Sequence, residues 1–496
     1  MTKKYFFFIA FLCWMISLSA QEGHRIEITL DNYNNDTLLL GYHYGDKQYI
    51  RDTSAINSEG KFVFEGAESL DPGVYLVVMR PDNQYFQLLI DNGDQHFTAH
   101  TDATAPSDHM KLEGSKENGL FYGYMDFLGK QRPKAEALKG KLKTATGTEK
   151  AALEQQLKAI NEEVVAYQNN LVDTNTGTLA RAFVKSFMES PMPKFEGSER
   201  EVQLKRYHHY KDHYFDNVEL GDSRLVRSPF LYQRIDYYLN KLTANHPDSI
   251  NASLDYILEK IAPAEDTYKY YLVHFLNTYA QSKVVGMDAV YVHLAEKYYA
   301  TGKAPWTEEE QLAKIVDNAK ALKPILIGKT APDVKMFEID IEGSIAAEND
   351  ENEYKRWRAK RELTLHGVPT PYTVLFIWDP DCGHCKKSMP KMIEFYENYK
   401  DKGVEVFAVC TKIYDGIAEC AKYIKDKEGM VNWINAIDPF IKSKYKQIYD
   451  IKSTPQIFIV DENKEIISKR IGAEQIAEVM DQIMEMKAKE KAAGGK

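Results

Sequence analysis

The sequence predicts a multidomain chain, with an N-terminal all-β sandwich, a central all-α domain and a C-terminal α/β domain. Three observations carry this. Short β-type segments parted by turn clusters fill the chain to about Thr101. A run rich in Ala, Lys, Glu, Leu and Tyr at helical spacing occupies Lys111 to Leu322. From Thr373 onward strands alternate with helices. At 496 residues the chain exceeds one ordinary domain, and on the order of three is expected. The expected divisions are a signal segment over 1–20, a β domain over 21–108, a helical domain over 109–323, the α/β domain over 324–487 and a disordered tail over 488–496.

The first residues read as a secretory signal. Lys3 and Lys4 precede an apolar run, Tyr5 to Leu18, and the small residues Ser19 and Ala20 stand before Gln21. The run is too short for a membrane span, so no stable membrane insertion is expected after cleavage. Cys13 follows Phe11 and Leu12, where a lipidation signal needs small residues, so a lipoprotein is not expected.

The β segments are Arg25–Leu30, Thr37–Tyr44, Lys61–Glu65, Val74–Met79, Tyr85–Ile90 and Gln95–Ala99. Asn/Asp/Gly/Pro clusters separate them, which predicts a small antiparallel sandwich or barrel. His96 and His100 read as strand or turn residues. Beyond them, Lys134 to Asn170 is broken by Thr144–Thr148, which predicts an antiparallel helical hairpin. The later segments carry aromatics at helical spacing, and the Tyr stripes read as packing. His209 and His213 share a helix face at a spacing that suits a metal. Tyr210 stands where a metalloprotease helix needs Glu, so they read as surface histidines and no metal site is assigned. The net charge of −10 argues against non-specific nucleic-acid binding.

Pro324 to Asp333 is a linker feeding a strand. Ile341 to Pro371 reads as a charged, solvated loop or helix, with an acidic run at Glu348–Glu353 and a basic one at Lys355–Arg361. A strand at Thr373–Trp378 then leads into a helix from Cys382 to about Lys400. A strand comes next at Val404–Val409, then helices near Ile417–Lys427 and Pro439–Tyr445. After Thr454-Pro455 come the strands Gln456–Val460 and Glu465–Ile471, a hairpin turned at Asp461–Lys464. Gly472 and a helix from Glu474 to about Met486 close a mixed sheet covered by helices.

Of the five cysteines, Cys13 lies in the signal and the other four lie in the last quarter. The chain is therefore not a disulfide-stapled scaffold, and no structural disulfide is expected beside the Cys382/Cys385 pair. A Cys-x-x-Cys at a strand-to-helix junction has three readings. A zinc site needs two further ligands, and Cys410 and Cys420 lack that spacing. Haem attachment needs His after the second cysteine, where Lys386 stands. A redox dithiol remains. Cys382, at the helix start, is the nucleophile, and Cys385, one turn in, resolves the mixed disulfide. Gly383 and His384 lie between them, and His384 favours the thiolate by charge and hydrogen bonding. Pro390 kinks the helix. Cys410 reads as a buried inert thiol, with a third redox cysteine or a Cys410–Cys420 bridge as alternatives.

Cys382-Gly383-His384-Cys385, Pro390, Thr454-Pro455 before an apolar strand, and Ile471-Gly472-Ala473 make residues 324–487 resemble the thioredoxin superfamily. The nearest likeness is to envelope thioredoxin-like reductases of the TlpA/ResA type. The opening Gly328-Lys329-Thr330-Ala331-Pro332-Asp333 is similar to the start of such domains. The whole chain is similar to envelope proteins of Bacteroides-type bacteria, which place a small β domain and a helical domain first. The resemblance implies a thioredoxin-like fold and a redox-active Cys382–Cys385 disulfide. It implies that Pro455 is a cis proline against the pair, and that the Thr454 backbone pairs with an extended substrate segment. Thioredoxin has a buried Asp where this chain has Phe376, and no carboxylate comes after Val409 until Asp415 and Glu419. The proton acceptor for Cys385 is therefore open among Asp379, Asp381, Glu419 and water.

The resemblance implies a periplasmic thiol–disulfide oxidoreductase that reduces protein disulfides. Its alternatives are a disulfide oxidase or isomerase, or an envelope binding protein with an auxiliary redox domain. No cofactor beyond the dithiol is needed. The expected partners are protein disulfide substrates and a membrane thiol electron donor.

Overall fold

The computed structural model describes residues 23–351 and 358–494. The signal segment and part of the Lys355–Arg361 run lie outside the described residues. The described residues form two compact units, one up to Thr243 together with Leu254–Tyr270, the other Ala244–Ser253 together with those from Tyr271 onward.

The first unit holds two four-stranded sheets. One runs in the order β4 (Phe62–Gly66), β1 (His24–Asp31), β7 (His96–Asp102), β8 (Lys111–Glu113). The other runs β3 (Lys47–Ala55), β2 (Thr37–Tyr44), β5 (Gly73–Met79), β6 (Gln84–Ile90). The apolar alternation read from the sequence is their buried side: Ile26, Ile28, Phe62 and Phe64 from one sheet, Leu38, Leu40, Val77 and Leu88 from the other. The antiparallel expectation fails for one pair, because β1 and β7 run parallel. Chain neighbours β2, β3, β5 and β6 pair with one another in the second sheet, which leaves β1 to meet a strand far along the chain.

Helix α1 (Lys116–Leu142) is capped by the Ser115 side chain and runs through Pro133 without ending. It therefore starts well before the expected Lys134. Its first turns satisfy the backbone of the edge strand β6. Asn118 accepts from the Leu89 N–H at 2.8 Å and donates to the Leu89 carbonyl at 2.8 Å, and the Tyr122 hydroxyl donates to the Gln87 carbonyl at 2.7 Å. This is the physical reason the expected cut at 108/109 is not a packing boundary. Next along the chain come α2 (Gly147–Thr174), α3 (Leu179–Ser186), α4 (Glu199–Asp212) and α5 (Pro229–Lys241), then α6 (Pro247–Ile261) and α7 (Glu265–Ala280). The His209 and His213 rings lie 4.2 Å apart, but His209 Nε2 bonds the Pro191 carbonyl and His213 Nδ1 the Asp216 carboxylate.

The second unit holds α8 (Asp288–Leu294), α9 (Glu309–Leu322) and a seven-stranded mixed sheet. Its order is β10 (Ala359–Thr364), β9 (Lys335–Ile339), β13 (Ile434–Ile437), β12 (Val404–Cys410), β11 (Tyr372–Trp378), β14 (Gln456–Asp461), β15 (Ile466–Lys469). Helices α10 (Ile341–Ala346), α11 (Gly383–Tyr399), α12 (Ile417–Asp426), α13 (Tyr445–Ile448) and α14 (Ile476–Gly494) complete it. The sheet lies between two apolar layers. Val374, Phe376 and Trp378 of β11 pack into one, with Cys385, Cys410 and Cys420; Leu375 and Ile377 pack into the other, with Phe407 and Phe458. Burial on both faces explains why β11 reads as an unbroken apolar run.

Two expectations are corrected here. The reading of Ile341–Pro371 as a solvated loop or helix allows α10 but misses the strand β10, which pairs antiparallel with β9. The helix expected near Pro439–Tyr445 is a turn instead. The buried Asp438 carboxylate accepts from the Lys442 and Ser443 N–H groups, and this competes with a helix until α13 begins at Tyr445.

Lys469, at the end of β15, is only 2 % exposed. Its ammonium pairs with the Asp288 carboxylate and donates to the Ile325 carbonyl at 2.7 Å. Burial pushes its pKa down, against the pull of Asp288. Removing one partner leaves an uncompensated buried charge. Lys469→Met is expected to lower the unfolding free energy by about 3 kcal/mol, and adding Asp288→Leu to restore most of it, as read by guanidinium unfolding.

Candidate active site

β11 is paired on both sides, parallel to β12 and antiparallel to β14. Its carboxyl end, Ile377–Trp378, lies opposite Gln456, the first residue of β14. This register brings two remote stretches together. The turn Asp379–Asp381 leaves β11, and Thr454-Pro455 enters β14. The Thr454–Pro455 bond is cis. The Cys382 sulfur lies 3.2 Å from the Thr454 carbonyl oxygen.

Cys382 is the N-cap of α11, extended in backbone (φ −72°, ψ 117°), and its sulfur accepts from the Cys385 N–H at 3.3 Å. The residue that begins the helix is thus held by the helix's own orphan donors. Its N–H donates to the Asp379 carbonyl at 3.2 Å, which fixes the turn. Both cysteines are free thiols, Cys382 half-buried and Cys385 1 % exposed. Burial acts to raise the Cys382 thiol. Hydrogen bonding with Thr454, with Cys385 and with the Cys385 and His384 amides outweighs it, so the net shift is downward. The Cys385 thiol goes the other way. Burial first, and hydrogen bonding with Cys382 second, push it up to about 12. The helix start therefore makes one thiol acidic and keeps its neighbour protonated.

Gly383 and His384 are exposed on the first turn of α11, and it is the His384 amide that acts on Cys382. A Cβ at Gly383 would meet no atom within 4 Å, so sterics do not demand glycine there. Phe376 is fully buried. The Asp379 carboxylate accepts from the Thr411 hydroxyl at 2.5 Å and from the Asp381 N–H at 2.9 Å. Asp381 and Glu419 are both paired to Lys412, at 2.5 and 2.8 Å. All three candidate carboxylates are thus engaged with the turn or the loop after β12. Sequence reasoning did not find Thr411 or Lys412. The only signal was the cysteine that precedes them.

That cysteine is also corrected. Cys410 is bonded to Cys420, a pairing expected only as an alternative to a buried inert thiol. Both are buried, at the end of β12 and on α12. A structural disulfide does accompany the redox pair.

Three families match separate stretches of the chain. Residues 24–121 match the family described as a domain of unknown function, DUF4369, and residues 145–323 another, DUF5106. Residues 327–483 match Redoxin. The chain is 29% identical over 121 residues to the thiol-disulfide oxidoreductase ResA of Bacillus cereus, covering 24% of this chain and 66% of that protein. It thus spans about two thirds of the length of the curated relatives it matches. Among solved structures, a domain of possible thiol-disulfide isomerase from Cytophaga hutchinsonii is 31% identical, over 35% of this chain and 99% of that one, with a TM-score of 0.27. A thioredoxin-like protein from Bacteroides caccae is 18% identical, over 59% of this chain and 97% of that one, with a TM-score of 0.41.

The opposed shifts predict selective alkylation. Iodoacetamide at neutral pH is expected to label Cys382 and to leave Cys385 unlabelled, as read by peptide mass spectrometry. The Cys382 rate should rise with pH through a midpoint below the ~8.5 of a free cysteine. Equal labelling of the two thiols contradicts the assignment.

Proposed function

Because the chain belongs to the thioredoxin superfamily through residues 327–483, with relatives that are thiol–disulfide oxidoreductases, we propose that it is a periplasmic reductase of protein disulfides acting through Cys382 and Cys385. The observation that carries the reading is the pair of unlike thiols at one helix start: Cys382 acidic and half-exposed beside the Thr454 carbonyl, Cys385 buried one turn in.

The cycle comes from that inequality. The Cys382 thiolate attacks one sulfur of a substrate disulfide. A Cys382–substrate bond forms, the substrate bond breaks, and the other substrate sulfur leaves as a thiolate and takes a proton. Thr454 and Pro455 flank the attacking sulfur, so an extended substrate segment lies against this loop by strand-like pairing. Cys385 then gives up its proton and attacks the Cys382 sulfur. The second substrate sulfur leaves, and the Cys382–Cys385 disulfide forms. Two electrons have passed to the substrate, and an external dithiol at the membrane restores the pair. The high Cys385 pKa keeps the resolving sulfur quiet until the mixed disulfide has formed beside it.

The periplasmic placement is supported by the N-terminal Lys3–Ala20 pattern. No helix among the described residues is long and apolar enough to cross a membrane.

Cys382→Ser is expected to abolish disulfide reduction, and Cys385→Ser to accumulate a covalent adduct with substrate on non-reducing gels. The reduction potential of the pair should fall near the thioredoxin value of about −270 mV; a value near those of disulfide isomerases or oxidants, about −180 to −120 mV, sinks the reductase direction.

A further inference from the structure

The loop between β12 and α12 is bridged by the Cys410–Cys420 bond, which joins the last residue of β12 to the first turn of α12. Cys410, the last residue of β12, pairs in register with Trp378, the last residue of β11. Thr411 extends that pairing. Its N–H donates to the Trp378 carbonyl at 3.0 Å and its hydroxyl to Asp379 Oδ2 at 2.5 Å. Lys412 Nζ reaches Asp381 Oδ2 at 2.5 Å and Glu419 Oε2, the residue before Cys420, at 2.8 Å. Lys446 of α13 adds a contact to the Thr411 carbonyl at 3.3 Å. At the far end, Tyr423 comes after Cys420 on α12 and lays its ring 5.3 Å from the Trp378 ring. Both bonded cysteines are buried, at 1 and 0 % exposure. Thr411, Lys412 and Tyr423 thus all reach β11 or the Asp379–Asp381 turn that presents Cys382.

We infer that Lys412 and the Cys410–Cys420 bond are positioning elements of the active site, the bond closing the 411–419 loop so that Lys412 and Thr411 hold the acidic turn before Cys382. The inference rests on the proposed dithiol chemistry and assigns roles within that same site. A short closed loop has few conformations, so the bond fixes where Lys412 projects. The charged and titratable groups around the two sulfurs are Asp379 and Asp381 of the turn, His384 and Lys386 of α11, Lys412 and Glu419 of the loop and α12, and Tyr423 of α12 facing Cys385. Lys412 is the cation bonded to the turn. Without it, Asp381 keeps only the charge of Lys386 and the turn before Cys382 carries more net negative charge, which disfavours a thiolate nearby. The reduced form then loses stability, and the couple becomes more reducing.

The full chain tests this, with the Cys382 alkylation rate followed against pH and the Cys382–Cys385 couple equilibrated with glutathione and read peptide by peptide. Lys412→Gln is expected to slow alkylation at neutral pH by about three- to tenfold, a pKa rise of roughly half to one unit. The potential should move to a more reducing value. Cys410→Ala with Cys420→Ala should shift both readings the same way, and adding Lys412→Gln to it should shift them little further. If the double cysteine variant fails to fold by circular dichroism, Thr411→Val replaces it, with the same direction expected. Wild-type alkylation and potential in Lys412→Gln overturn the inference. So does a cysteine variant that loses only thermal stability, because the bond is then a staple and nothing more. If the wild-type chain has no measurable Cys382–Cys385 couple, the dithiol reading itself falls and takes the inference with it.

Discussion

The pairing of β11 on both sides is the constraint on which the site depends. A strand held by β12 and by β14 cannot slip by one residue without turning Val374, Phe376 and Trp378 out of their layer. Fixed register also fixes the segment beyond the strand end. Trp378 hands the chain to the turn that carries Cys382, and the neighbouring strand begins opposite Ile377, immediately after Pro455. The nucleophile and the loop beside it are far apart in sequence, yet their approach is set by one ladder of backbone hydrogen bonds.

That ladder also explains why two chemically identical side chains differ. Cys382 sits at the boundary of the helix, where unpaired N–H groups point at its sulfur. Cys385 sits one turn further, inside the layer formed by Met389, Phe376 and Trp378. Burial raises both thiols, and only the first has enough donors to reverse the effect. The difference therefore comes from position: Cys382 at the helix boundary gains hydrogen bonds with Thr454 and with the first amides of α11, whereas burial dominates at Cys385. His384, which the sequence offers as a partner for the thiolate, contributes through its amide.

The legible and the hidden parts of the chain divide along the same physical line. β11, β12 and β14 were legible because they are buried on both faces and run apolar. β3 and β10 were not, because each is an edge strand with one fully buried residue at most, so no alternation marks it. Their evidence is hydrogen bonding to a neighbour, which sequence does not display. Pro133 suggests a late helix start, whereas the capping Ser115 marks the true start of α1. The turn after β13 depends on one buried carboxylate, Asp438, taking amides from an otherwise helical stretch. In the site, the Cys-x-x-Cys and Thr-Pro were readable as motifs. The Cys410–Cys420 bond was not, because cysteines so spaced face each other only once β12 and α12 are packed.

The chemistry of the acidic turn depends on those hidden contacts. Phe376 fills the strand position where thioredoxin carries a proton-handling carboxylate, and it is fully buried among apolar residues. A charge there would be desolvated with no partner on its layer, so the position cannot serve as a base without rebuilding the core. Asp381 and Glu419 share one lysine, and Asp379 is bonded to Thr411. Of these, Asp379 is the one whose backbone is bonded to the Cys382 amide and acts on the Cys385 thiol. The backbone of Asp379 thus acts on both cysteines, while its carboxylate is held by the Thr411 hydroxyl and the Asp381 amide.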